Sequence, residues 1–206
     1  MLDIEKDRLA EGHINQFKRL SDRVKKYLLI SSLPFSIGKN YVDVRRMWPT
    51  GCNLCRKSFG SKSVVEKIAV PVGNTKPTFM IVGANPGYGN GPTKEIGPTL
   101  VTGASSQILR KALAKIGIVH ECWFTNVVKC ATLNNERICD NDVRTCRMYI
   151  DCELWTLKPK YVVTLGIAAS NALGRTSIKV THPAFYVRNG KSYVQYAEHI
   201  YEKLKR

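Results

Sequence analysis

From residue 77 onward, short apolar runs alternate with segments whose apolar positions recur at helical spacing. Thr78–Val82 reads as a buried strand. Ile108, Leu109, Ala112, Leu113 and Ile116 form one stripe, which predicts a helix capped at Thr102 or Ser105 and closed by Gly117. Trp123–Val128 is the next strand, and a helix over Asn141–Leu157 stops before Pro159. A third strand follows at Tyr161–Leu165, then a short helix, Ala168–Leu173, ended by Gly174. Ile178–Thr181 makes a fourth strand. The closing helix, Ser192–Lys205, puts Val194, Ala197, Ile200, Tyr201 and Leu204 on one face. Strands alternating with helices predict an α/β fold: a central four-stranded parallel sheet with helices on both faces.

Upstream, Phe17, Leu20, Val24, Tyr27 and Leu28 recur at helical spacing among Lys18, Arg19, Arg23, Lys25 and Lys26. That pattern fits a packing helix with a solvated basic face. Residues 1–44 therefore read as an N-terminal helical extension and 45–206 as a single α/β domain. Asn85, Asn126, Gly166 and His182 fall at the C-terminal ends of the four predicted strands. In open α/β sheets ligands bind in that crevice, so four positions far apart in sequence are expected to share one pocket.

Charge narrows the partner. The 206 residues hold 32 Lys and Arg against 16 Asp and Glu, a formal charge of +16. An excess of that size points to a polyanion, most simply DNA. A solvated basic surface or an anionic membrane surface is the alternative, but no strongly amphipathic basic anchor is present. No apolar run approaches the ~20 residues that span a bilayer. The first residues lack the apolar core of a signal peptide. A cytoplasmic, reducing location and a monomer are expected.

In such a compartment clustered cysteines bind metal more often than they form disulfides. Cys52 and Cys55 form a C-x2-C pair; Cys130 and Cys146 form a later C-x15-C pair. Four thiolates suit a 4Fe-4S cluster or a tetrahedral zinc, and the spacing alone does not separate them. Cys122, Cys139 and Cys152 remain outside the set.

The cysteines occur with Gly83-Ala84-Asn85-Pro86-Gly87, the block Thr125–Cys130, the strand "PKYVVTLG" at 159–166 and "THPAFYVRN" at 181–189. In that order and spacing they resemble the uracil-DNA glycosylase superfamily, most closely its iron–sulfur branch, family 4. The resemblance covers roughly residues 45–206. It implies a 4Fe-4S cluster on Cys52, Cys55, Cys130 and Cys146, with zinc the less favoured occupant. It also implies a monofunctional DNA glycosylase that flips a base out, hydrolyses its N-glycosidic bond and leaves an abasic site. Such a bond breaks through an oxocarbenium-like sugar and an anionic base, so preorganised dipoles and a placed water do most of the work. Asn85 would hold that water. Asn126, with one donor and one acceptor, would read the edge of a pyrimidine. His182 would donate to the base O2 as charge develops. Arg188 and Lys129 are expected at the DNA, where phosphate contacts position without specifying. The cluster would also bring Arg56 and Lys57 near DNA.

The first motif departs from the family pattern. Family 4 reads Gly-Glu-Ala-Pro-Gly, whereas here Ala84 replaces the glutamate and Asn85 takes the third position, similar to the mismatch-specific and thymine-DNA branch. The loop 88–100, "YGNGPTKEIGPTL", is about four residues longer than the family pattern. It ends without the Phe expected to stack on the base; Val101, or Leu100 with a gap, stands there. Tyr88 is a candidate replacement ring. Ala84, Tyr88, Val101 and Asn126 are thus the expected base-binding residues. Two substrates follow: uracil, in base-excision repair, or a bulkier 5-modified pyrimidine such as glucosylated hydroxymethylcytosine, in defence against phage. The alternative is a non-catalytic iron–sulfur DNA-binding module of the same fold, and a cluster- or zinc-bearing RNA-binding protein is a third class.

Overall fold

The computed structural model describes residues 71–87, 100, 103–131 and 137–205. The N-terminal extension, Cys52, Cys55, Tyr88 and Val101 lie outside the described residues.

The four predicted strands are present: β2 (Phe79–Gly83), β3 (Cys122–Asn126), β4 (Tyr161–Leu165) and β5 (Ile178–Val180). All four run parallel, in the order β3-β2-β4-β5. A fifth strand, β1 (Val72–Gly73), adds an antiparallel edge on β3. Two residues carry no periodicity, so the pattern of the chain does not announce β1.

Side chains alternate between the two faces of a strand. Ile81, Phe124, Val163 and Leu165 therefore enter one core, with Leu109, Leu113, Tyr196 and Ile200. Met80, Val82 and Trp123 enter a second, with Cys146, Ile150, Leu157 and Ala169. The first face is covered by α1 (Ala104–Lys115) and by α5 (Tyr193–Leu204), the second by α2 (Asp140–Leu157) and α3 (Gly166–Leu173). A further helix, α4 (Pro183–Arg188), was not expected from periodicity; six residues are too few to show a stripe.

Local chemistry sets the ends. Gly103, not Thr102 or Ser105, is the residue before α1, and Ser105 lies inside the helix. Ser192 Oγ accepts from Gln195 N (3.3 Å) while Gln195 Oε1 accepts from Ser192 N (2.9 Å), a reciprocal box that starts α5. Lys158 takes a left-handed φ of 45° to end α2 ahead of Pro159. On α5 the buried positions are Tyr196, Ala197 and Ile200, while Tyr201 is 49% exposed. The face is turned toward Tyr196 because its ring packs on Tyr186, 4.5 Å between centroids.

The connection after β2 runs through α1 outward to β3, whereas that after β4 runs through α3 the opposite way to β5. Adjacent strands β2 and β4 thus send their helices to opposite faces and leave a crevice at their C-terminal ends. Among the described residues no helix is long and apolar enough to cross a membrane.

Candidate active site

The crevice is built from two glycines and the side chains that use their missing Cβ atoms. Gly83 ends β2 opposite Asn126 of β3 in the parallel register. A Cβ on Gly83 would collide with Asn126 Oδ1, so the amide lies over β2. The pairing continues past the strands: Val127 N donates to Gly83 O and Val128 N to Ala84 O, each 2.9 Å. The segments Gly83–Asn85 and Asn126–Val128 are therefore zipped together. Asn126 is 2% exposed, yet its Oδ1 has no hydrogen-bond partner among the described residues. A buried amide oxygen left without a donor costs about 1–3 kcal/mol, so a donor from a ligand or a water would complete it.

Asn85 follows at the strand end, half-buried, and its Nδ2 donates to Pro86 O at 3.2 Å. That bond directs the amide nitrogen back to the backbone. Leu100 Cδ2 reaches 3.7 Å from the space over Gly83, beside the Asn126 oxygen.

Gly166 holds the other wall. Its φ of +81° is a conformation an L side chain rarely adopts, and a Cβ there would meet His182 Cβ at 3.0 Å. His182 precedes α4, where Pro183 supplies a preset φ, and its Nδ1 accepts from Ala184 N at 3.1 Å. With Nδ1 an acceptor, the proton of the neutral ring sits on Nε2, which has no partner among the described residues. Burial, and then the nearby Arg188 guanidinium, hold the His182 pKa below its usual 6.5, so the ring is neutral at pH 7 and remains a donor. The preceding residue is held at both ends by α5. Tyr196 Oη donates to Thr181 O (2.8 Å), and Thr181 N donates to His199 Nε2 (3.2 Å).

Asn126 thus leans from β3 onto β2, and His182 from β5 onto β4. Their supports are separated by the β2–β4 spacing, roughly 5 Å. The expected residues Asn85, Asn126 and His182 lie at the C-terminal ends of β2, β3 and β5 around this crevice, with Arg188 exposed near His182; Ala84, expected to bind the base, packs instead against the second core with Met80 and Val82.

Lys129 does not. Expected at the DNA, it is 3% exposed. Its Nζ bonds Glu153 Oε1 and Thr125 Oγ1, both at 2.7 Å, while Trp123 Nε1 donates to Glu153 Oε2 at 3.1 Å. The ammonium is an internal tie between β3 and α2, out of reach of a phosphate. Arg147 makes a second tie, from Asp151 Oδ1 (2.7 Å) to Ala172 O (2.6 Å), joining α2 to α3.

Of the four expected metal ligands, the described residues include Cys130, half-buried after β3, and Cys146, buried on α2. The donor chemistry fits a thiolate-held group, and the Lys129 ammonium lies within electrostatic reach of Cys146. No group of three metal-ligating side chains occurs among the described residues. Burial pushes the Cys122 and Cys152 thiols up to about 12 and about 11.

Glu153, Tyr196, His199 and Arg110 were not anticipated. Glu153 had a legible signal: an acid on the buried stripe Cys146, Ile150, Glu153, Leu157 of a helix. The other three act through contacts that no local pattern encodes.

Comparison with known proteins bears on the chemistry of this crevice. Residues 70–205 match the family described as the uracil DNA glycosylase superfamily. The chain is 37% identical over 109 residues to the type-4 uracil-DNA glycosylase of Pyrobaculum aerophilum, covering 52% of this chain and 54% of the relative. It is 32% identical over 96 residues to that of Archaeoglobus fulgidus, covering 46% of each. Against the Sulfurisphaera tokodaii protein of the same description it is 36% identical over 101 residues, 48% of this chain and 44% of the relative. The chain spans about half the length of the curated relatives it matches.

Proposed function

Because this chain belongs to the uracil DNA glycosylase superfamily, we propose that it is a monofunctional DNA glycosylase that excises a uracil-type pyrimidine by base flipping and hydrolysis. The observation that carries this reading is the unpartnered, buried Oδ1 of Asn126 at the end of β3. A pyrimidine N–H in the crevice would satisfy that oxygen, and the amide nitrogen would donate to a ring carbonyl. From the opposite wall the Nε2–H of neutral His182 donates to the base carbonyl where negative charge grows as the glycosidic bond breaks. Asn85 orients the attacking water through its carbonyl oxygen. An amide is no strong base, which suits a dissociative bond break that needs placement of water more than its deprotonation. Arg188 meets a phosphate at the rim, and the +16 charge makes binding steeply salt-dependent.

Cys52, Cys55, Cys130 and Cys146 would hold a 4Fe-4S cluster, whose contribution is to cross-link segments and not to break bonds. Purified protein should be brown with broad visible absorbance; a colourless protein with one zinc per chain would sink that assignment. Leu100 beside Gly83, where an aromatic ring would make a tight slot, favours extending the substrates to bulkier 5-modified pyrimidines. Defence against phage carrying such DNA is the setting that substrate would imply.

The test is a substrate panel: uracil-containing DNA and hypermodified phage DNA, each incubated with enzyme and then alkali. Strand breaks at the target base are expected. Their absence from every DNA at high enzyme concentration, with retained binding, would instead make the protein a non-catalytic module.

A further inference from the structure

We propose that Arg110 is a positioning residue that clasps Leu100 as the aliphatic wall of the base pocket, and that this pair sets discrimination among pyrimidines by their 5-substituent. The inference rests on the glycosylase reading and adds a specificity device to it.

Leu100 has a φ of 53°, in the left-handed region. A γ-branched residue does not stay there unaided. Its carbonyl is fixed by Arg110, whose Nε donates to Leu100 O at 2.8 Å. The same guanidinium lies 4.2 Å from the centroid of the Phe124 ring. Phe124 belongs to β3 and is buried, so the guanidinium plane is fixed by the sheet itself. With a charged donor, the bond to the Leu100 carbonyl is stronger than one between neutral groups. Leu100 is thereby tied, through a helix residue ten positions on, to the strand that carries Asn126.

The clasped side chain has a definite place. Leu100 packs partly against the core, and Cδ2 reaches the space over Gly83 that Asn126 Oδ1 shares. A base whose edge satisfies Asn126 must lie against these methyl groups. An aliphatic wall offers shape but no π face, so it selects by volume and not by stacking. Selection by volume works only if the wall is held still, which is what the Arg110 bond and stack supply.

The experiment measures single-turnover excision from two oligonucleotides that differ only in the target base, uracil or 5-hydroxymethyluracil, using the full chain. Leu100→Phe should shift the rate ratio toward uracil by about tenfold or more, and Leu100→Ala toward the larger base. Arg110→Lys keeps the charge but loses the planar Nε donor and the stack, and should move the ratio as Leu100→Ala does. Leu100→Ala combined with Arg110→Lys should move it no further than either alone, because Arg110 acts through Leu100. Equal slowing of both bases in Leu100→Phe or Arg110→Lys overturns the inference while leaving the glycosylase reading intact. Excision of neither base, nor of any base in the substrate panel, by the unaltered enzyme overturns both. If Arg110→Lys fails to fold, the ratio in Leu100→Phe decides alone.

Discussion

Replacing Glu153 by Leu should unfold this protein at a much lower temperature, although Glu153 touches neither the crevice nor solvent. The carboxylate is 1% exposed and takes bonds from the Lys129 ammonium (2.7 Å) and from Trp123 Nε1 (3.1 Å). Burial penalises the charged form of Lys129, and the Glu153 carboxylate is the main charge that offsets it. Removing one member of a buried pair strands the other, at a cost of roughly 3–5 kcal/mol. A domain of this size loses about 2–4 °C of Tm per kcal/mol, so Glu153→Leu should lower Tm by roughly 6–20 °C. The double variant Lys129→Met with Glu153→Leu should recover most of the loss, since apolar groups of similar volume replace such pairs at little cost. Circular dichroism melts of the three proteins, matched for metal content, measure this. DNA affinity against salt supplies the control: a phosphate-bound lysine contributes about one unit to the slope of log K against log salt. Lys129→Met should leave that slope unchanged. A slope lowered by one, with an unaltered melt, would refute the buried tie and return Lys129 to the DNA.

Three further outcomes follow from the crevice. Gly83→Ala places a methyl group on Asn126 Oδ1 and should cut kcat/KM by about 10- to 100-fold, the worth of one or two hydrogen bonds to a charge-bearing base; unchanged kinetics would mean that Asn126 does not read the base. For His182, whose pKa is depressed, the neutral form is the native one. Stability from it is complete above the ordinary value of 6.5 and is lost as pH falls toward the lower folded value. Protonation would also set two donors, Nδ1–H and the Ala184 N–H, against each other, so single-turnover rates should drop on that acid limb, and a limb identical in His182→Asn would argue against it. Tyr196→Phe removes the bond to Thr181 O and should cost about 1 kcal/mol of stability; the positioning role additionally requires a lower kcat at unchanged KM.

The sheet was legible because each parallel strand is a short apolar run with turn residues at its ends, and burial on both faces demands such runs. The crevice was legible for a related reason. Asn126 ends β3, Asn85 and His182 sit two residues past β2 and β5, and parallel strands put all such positions on one side. Lys129 was misread because its charge is a local fact whereas its partner Glu153 lies 24 residues away. Leu100 and Arg110 were invisible as a pair for the same reason: a left-handed leucine has no signature in sequence, and its clasp is a tertiary contact. The turned face of α5 had a different cause. Helical spacing ranks Tyr196 and Tyr201 alike, and only the Tyr186 ring waiting across the core separates them.

The two faces of β3 explain why one short block of sequence carries so much. Trp123 and Thr125 point to the α2 face, where they bond the Glu153–Lys129 tie. Phe124 and Asn126 point to the α1 face, where one supports Arg110 and the other lies over Gly83. Cys130 comes four residues after Asn126, immediately past Lys129, so the proposed cluster loop begins where the tie ends. A strand has period two, and a shift of one residue exchanges the faces entirely. Such a slip would put Asn126 against Glu153 and Thr125 over the pocket. The buried ion pair opposes it with the cost of a stranded charge, and a metal-held Cys130 would oppose it covalently. The tie, and a metal held at the proposed cysteines, would then serve the proposed reaction without touching it, by holding the register of β3 that aims Asn126.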